Sequence, residues 1–249
     1  MLPRMMPTRA VSIRQRLALA REPHPAGVRR PPLRLLAAEA SWLAAPFLRL
    51  RRIAIPPAAQ PRTVVVFPGF CAHPLHLRTL RTRIGAAGHR VHCWGQGMNT
   101  GATADLLDRL DARLAAIAED DPEPVVLVGW SLGGIFAREL AKRQPGRVAK
   151  VITMGTPFSG HPRANNAWRL YHLVAGHRVE EPPIECAVSI KPPVETVALW
   201  SPRDGVVHPR SAAGRPGERD RAVALRCTHM GFVHSREGIE AVLAELDSA

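Results

Sequence analysis

Residues 124–134 read PVVLVGWSLGG, and this stretch decides the fold. Val125–Val128 is a short β-branched and aliphatic run, the mark of a strand buried on both faces. Leu132–Arg143 carries helical spacing directly after it. Between the two stands Gly129-Trp130-Ser131-Leu132-Gly133, which matches G-x-S-x-G in the strand–turn–helix setting that this pattern requires. A strand that passes straight into a helix through one residue brings the positions two before and two after it into near contact. A Cβ would clash there, so glycine is demanded. The serine is strained, sits at a helix N-terminus and projects its hydroxyl above the sheet.

The same texture extends on both sides of this junction. Thr63–Phe67 (TVVVF) reads as a buried strand, 74–87 as a helix stopped by Gly88, and 90–94 as a second strand. An amphipathic helix is expected over 102–118, with Leu106, Leu107, Leu110, Leu114 and Ile117 on one side. Strands at 148–154, 196–200 and 222–227 and a last helix near 235–246 complete the alternation. Strands separated by helices imply a mostly parallel central sheet covered on both faces, an α/β architecture. Residues 157–194 are too long for an ordinary loop and read as a lid-like insertion with one helix, 164–175.

Composition adds boundaries. The chain has 249 residues and a formal net charge of +13, and 31 of its 34 basic residues are Arg. Residues 1–62 hold 12 Arg against Glu22 and Glu39, whereas the rest holds 22 basic and 19 acidic groups. The basicity therefore belongs to an N-terminal arm, taken as residues 1–60, and the body at 61–249 is nearly neutral. No nucleic-acid-binding signature appears, so no specific nucleic acid is expected as a partner. Residues 1–30 lack the apolar core of a secretory signal. The segment 35–48, LLAAEASWLAAPFL, is too short to span a bilayer and contains Glu39 and Pro46. Flanked by Arg34, Arg49, Arg51 and Arg52, it reads as an amphipathic helix, either packed on the body or in peripheral contact with an anionic membrane. Cys71, Cys93, Cys186 and Cys227 show no metal or redox spacing, and reduced thiols in a cytoplasmic protein are the expectation. No cofactor or metal is called for.

The chain resembles the α/β-hydrolase fold and, within it, bacterial lipases and esterases. The resemblance covers about residues 60–249 and rests on VLVGWSLGG, on FPGF at 67–70, on MGTPFSG at 154–160, and on two later motifs. It implies hydrolysis of acyl esters by a Ser–His–Asp triad in chain order Ser, Asp, His. On that resemblance Ser131 would be the nucleophile. Asp204 is the one carboxylate at the end of the 196–200 strand, in Ser201-Pro202-Arg203-Asp204-Gly205-Val206-Val207; Asp220, in the charged run GERDR, is a rival. His229, in Cys227-Thr228-His229-Met230-Gly231-Phe232, looks like the family's histidine segment, with His234 and His208 behind it. The oxyanion hole would be built from the backbone N–H groups of Leu132 and Phe70. Pro68 stands where the family commonly has a histidine, which removes a side-chain hydrogen bond that steadies this loop.

Around these residues, Trp94–Asn99 could line the entrance, and Pro157, Phe158, Trp168, Tyr171 and Leu173 could form an apolar acyl wall or, for the helix of the insertion, be packed shut. The sequence points to a serine hydrolase acting on a small-molecule or lipid ester. An acyltransferase of the same fold and a non-catalytic binding module remain alternatives, because fold does not fix substrate.

Overall fold

A computed structural model describes residues 11–40, 55–121 and 123–248. Residues 41–48 of the expected amphipathic segment lie outside them.

Six strands, β1 (Thr63–Phe67), β2 (Arg90–Cys93), β3 (Val125–Trp130), β4 (Val148–Met154), β5 (Glu195–Trp200) and β6 (Arg221–Ala224), form one sheet in the order β2-β1-β3-β4-β5-β6. Every pairing is parallel. Successive side chains of a strand face opposite ways, so the aliphatic runs feed two separate apolar layers. Val64, Val66, Val126, Val128, Ile152, Met154, Val197 and Leu199 pack with Leu80 and Ile84 of α3 (Arg78–Ala86). The C-terminal helix Arg236–Asp247 closes that layer with Ile239, Val242 and Leu246. Val65, Phe67, Leu127 and Val151 turn the other way, onto α4 (Leu106–Asp120) and α5 (Leu132–Arg143). The whole apolar stripe of α4 expected from spacing is buried.

Among the boundaries that differ from expectation, three do so because a competing hydrogen bond wins. The first is at α4, which begins at Leu106 rather than at residue 102. Gly101 at φ 106° and the turn closed by Leu106 N–H on the Thr103 carbonyl take up the chain before it. The lid helix, α6, runs Trp168–Ala175. Residues 164–166 instead pair with the loop after β5: His208 N–H donates to the Ala164 carbonyl and Asn166 N–H to the Val206 carbonyl. Finally, β6 stops at Ala224, and the Cys227 carbonyl is turned to accept the Ser201 hydroxyl at 2.6 Å.

Among the described residues, the N-terminal segment carries the α-helices α1 (Ile13–Ala20) and α2 (Leu33–Ala38). Ser12 and Gln15 form a reciprocal capping box that starts α1. The segment lies against the body: Arg16 donates to the carbonyls of Leu173 and Val174, and the Leu19 carbonyl meets buried His172 at 3.0 Å. Glu22 pairs with Arg163 at 2.5 Å and Arg178 at 2.9 Å. No helix among the described residues is long and apolar enough to cross a membrane. The four cysteines are free.

Leu110 lies at the centre of the α4 stripe and is 1% exposed. Leu110→Ala should lower the unfolding free energy by roughly 2–5 kcal/mol, read from urea midpoints at unchanged slope.

Candidate active site

The turn after β3 has the strain that its sequence predicts. Ser131 sits at φ 52° and ψ −125°, with its N–H extending the ladder to the Met154 carbonyl at 2.8 Å. A Cβ on Gly129 would overlap Gly134, and one on Gly133 would come within 2.5 Å of the Pro68 carbonyl. One on Gly134 would overlap the Thr156 side chain. The predicted crowding is present, but it is spread over Gly134 and the loop after β1 rather than confined to the pair Gly129 and Gly133.

The loop after β1 packs on the elbow. A Cβ on Gly69 would stand 3.2 Å from that of Ser131. Asn99, fully buried, holds this loop: its side-chain amide donates to the Pro68 carbonyl at 2.8 Å. Its backbone carbonyl accepts Cys71 N–H at 2.7 Å, and its N–H reaches the Ala72 carbonyl at 3.0 Å. Asn99 thus supplies from the far side the restraint that Pro68 cannot. Among the described residues, the N–H groups of Phe70 and Leu132 have no protein acceptor, and both lie beside Ser131.

Asp204 and His229 are brought together by the loops after β5 and β6. Asp204 is fully buried, and its Oδ2 meets His229 Nδ1 at 2.7 Å. Its Oδ1 accepts the N–H groups of Val206 and Val207, each at 2.8 Å, which fixes the carboxylate's orientation. Burial by itself would lower the pKa of His229. The charge and hydrogen bond of Asp204, with the charge of Glu39, outweigh it and hold the imidazole above its usual range. Gly155, at φ 57° after β4, leaves room for this pair: a Cβ there would stand 3.0 Å from both Asp204 Oδ2 and His229 Nδ1.

Ser131 and His229 line one cleft of about 300 Å³, with Phe70, Leu170, Val206 and Met230 among its walls. No hydrogen bond joins Ser131 to the His229 ring in this structure; such bonds commonly tighten only when substrate is bound. The rival residues stand elsewhere. Asp220 pairs with Lys191 and the N–H of Thr196 at the start of β5, the opposite end of that strand from Asp204. The His208 ring caps α7 (Pro209–Ala213) by accepting Arg210 N–H. His234 ends the short helix α8 (Gly231–His234), and burial and His76 lower its pKa.

Other expectations about the walls are corrected. Trp94 is buried against Phe136, and its indole donates to the Gly97 carbonyl at 2.9 Å. Phe158 lies under the Arg138 guanidinium, and Trp168 packs among Arg163, Arg169, His172 and His24. Pro157 and Tyr171 line a smaller apolar cavity behind Leu132, of about 70 Å³. The rings of Tyr171 and Phe70, 5.1 Å apart, stand between it and the cleft. Residues that sequence reasoning missed hold the site from behind. The Trp130 indole donates to the His229 carbonyl at 3.1 Å, and Glu39 accepts from both loops. The Trp130 position within the elbow pattern was legible; its partner, 99 residues away, was not.

A family model described as alpha/beta hydrolase fold matches residues 79–174, which include Ser131 but neither Asp204 nor His229. The chain is 36% identical over 78 residues to a pimeloyl-[acyl-carrier protein] methyl ester esterase of Nitrosospira multiformis, 31% of this chain and 27% of that one. It is 40% identical over 58 residues to the enzyme of the same name from Aromatoleum aromaticum, 23% of each chain. The match therefore spans about a quarter of those relatives' length. Among solved structures, the metagenome-derived lipolytic enzymes LipS and LipT align with a TM-score of 0.57 and 17% identity, over 79% of this chain and all of that one. The carboxylesterase CesB of Bacillus subtilis aligns at 0.53 and 13% identity, over 87% of this chain and 98% of that one. The protein has the α/β-hydrolase fold.

Two substitutions test the buried pair. His229 should titrate above the ordinary imidazole range, and Asp204→Asn should bring its NMR midpoint down by removing the charge that favours imidazolium. Gly155→Ala should abolish the downfield proton signal of the Asp204–His229 hydrogen bond in a chain that still folds.

Proposed function

We propose that the protein is a carboxylic-ester hydrolase working through Ser131, His229 and Asp204 and an acyl-enzyme intermediate. The observation that carries this reading is the buried 2.7 Å Asp204–His229 bond opening on the cleft that holds the strained Ser131. Asp204 engages Nδ1 of His229, which leaves Nε2 as the base for the Ser131 proton. Ser131 Oγ attacks the ester carbonyl while His229 takes its proton. The N–H groups of Phe70 and Leu132 receive the developing oxyanion. His229 then gives the proton to the leaving alcohol, and the same steps with water release the acid.

The cleft walls support a substrate with an apolar acyl group, since Phe70, Leu170, Val206 and Met230 border the serine. The named relatives act on a methyl ester of an acyl chain borne by a carrier protein, and the ester and acyl elements of that chemistry suit this cleft. The cavity beyond Tyr171 would admit a longer chain only if the Phe70–Tyr171 contact opened.

Hydrolysis of p-nitrophenyl esters from acetate to palmitate should be serine-dependent, with Ser131→Ala lowering kcat by roughly 10⁴-fold or more. Activity should rise with pH through the raised His229 midpoint, because only the neutral imidazole can act as base. Tyr171→Ala should move the preference toward longer chains. A wild type no faster than Ser131→Ala across the series would overturn the hydrolase reading.

A further inference from the structure

The arm lies outside the part of the sequence that resembles the α/β-hydrolase fold, and its amphipathic segment reads as packed on the body or in contact with a membrane. Glu39, just past the end of α2, is nevertheless only 6% exposed and reaches behind the candidate site. Its Oε1 accepts the N–H of Gly205, the residue after Asp204, at 2.8 Å. The same oxygen accepts the N–H of His229 at 2.8 Å, and Oε2 accepts that of Met230 at 2.9 Å. One carboxylate thus bonds both functional loops, across 166, 190 and 191 residues of chain. Among the described residues no Lys or Arg forms an ion pair with Glu39. A buried carboxylate without a cation is expensive to desolvate and is tolerated here because three backbone dipoles satisfy it.

The contact around Glu39 is close on every side. A Cβ on Gly205 would overlap the Leu35 carbonyl, so α2 rests directly on the loop that carries Asp204. Asn166, ahead of α6, donates to the Pro31 carbonyl at 3.0 Å and to the Gly205 carbonyl at 2.8 Å, which locks the same junction from the lid side.

We propose that Glu39 is a positioning residue of the active site, its carboxylate tying the loop that carries Asp204 to the loop that carries His229. This deepens the hydrolase reading and rests on it for the catalytic meaning of that alignment. Glu39 acts by geometry, holding the pair at hydrogen-bond distance, and by charge, as a second anion near the imidazole. Other titratable groups stand around His229 among the described residues. Asp204 bonds it, the Cys227 thiol below is pushed by burial up to about 12, and His76 and Cys71 face it across the cleft.

The test compares wild type with Glu39→Gln and Glu39→Leu in the full chain. Three readouts are taken: the NMR midpoint of His229, its hydrogen-bonded proton signal, and kcat and KM on a p-nitrophenyl ester. Glu39→Gln keeps the size and one acceptor oxygen but removes the charge and sets an amide NH₂ against a backbone N–H. It should lower the His229 midpoint, since the charge of Glu39 raises it, and broaden or lose the proton signal. It should cut kcat roughly 10- to 100-fold with little change in KM, the signature of misplaced catalytic groups. Glu39→Leu should show the larger effect; if it does not fold, the glutamine variant decides. Folded variants with lowered thermal stability but a wild-type midpoint, proton signal and kcat would mean that Glu39 merely docks the arm, and the proposal falls. If the wild type turns over no ester, the hydrolase reading fails on that ground alone. The midpoint and proton signal still decide whether Glu39 positions His229.

Discussion

One backbone constraint organises this molecule: a strand must become a helix through a single residue with positive φ. Ser131 takes that conformation at 52°, and glycines stand two residues before it and two and three residues after it, where a Cβ would clash. The strain is supported by what surrounds it. β3 lies between β1 and β4, buried along its length, and α5 buries nine of its twelve residues. A well-packed strand and helix leave the connecting residue no relaxed alternative, which is how a fold sustains a conformation that a free peptide would abandon. The loop after β1 then packs against the elbow, and Asn99 fixes that loop. Both free N–H groups are placed by the same crowding that strains the serine.

The second requirement is harder to meet, because Asp204 and His229 stand on loops that follow the two strands at one edge of the sheet. β6 is four residues long and, among the described residues, has a neighbour on one side only, so the sheet alone is a weak support for His229. The structure answers with hydrogen bonds from outside the sheet. Trp130 reaches the His229 carbonyl from the elbow, Ser201 holds the Cys227 carbonyl from the acid loop, and Glu39 gathers three N–H groups from the arm. Each bond links parts of the chain that no local propensity brings together.

This division explains what could be read from the sequence. β1, β3 and β4 were legible because strands buried on both faces must be continuous apolar runs, and α4 because its stripe repeats along a half-buried helix. The proposed site residues Ser131, Asp204 and His229 were legible as motifs at the ends of strands, the latter two through their resemblance to the family's acid loop and histidine segment. Helix α1 buries none of its residues, so no apolar stripe marks it in the sequence and its Ser12–Gln15 capping box is the signal that remains. Helix α6 starts at Trp168 rather than at residue 164 because Ala164, Asn165 and Asn166 are engaged by the loop after β5. Glu39 had no signal at all. In sequence it is a lone acid interrupting an apolar segment, and only the fold reveals the three amides that it meets.

Those amides bear on the electrostatics of the site as well as its shape. Glu39 and Asp204 approach His229 from different loops, and no Lys or Arg is paired with either among the described residues. With the imidazole neutral, the partners of the two buried carboxylates among the described residues are backbone N–H dipoles and the His229 ring. On the proposed chemistry, the proton leaving Ser131 converts His229 to a cation between them as the oxyanion forms. An environment that is poorly neutralised in the resting state and better neutralised at that moment lowers the barrier by differential stabilisation, with no need to bind the substrate more tightly. The same field also strengthens the hold of His229 on any proton that it already carries, so the arrangement exchanges activity at low pH for a better base above it. The arm is therefore more than a cover on a finished body. It brings one of the two charges that set this balance.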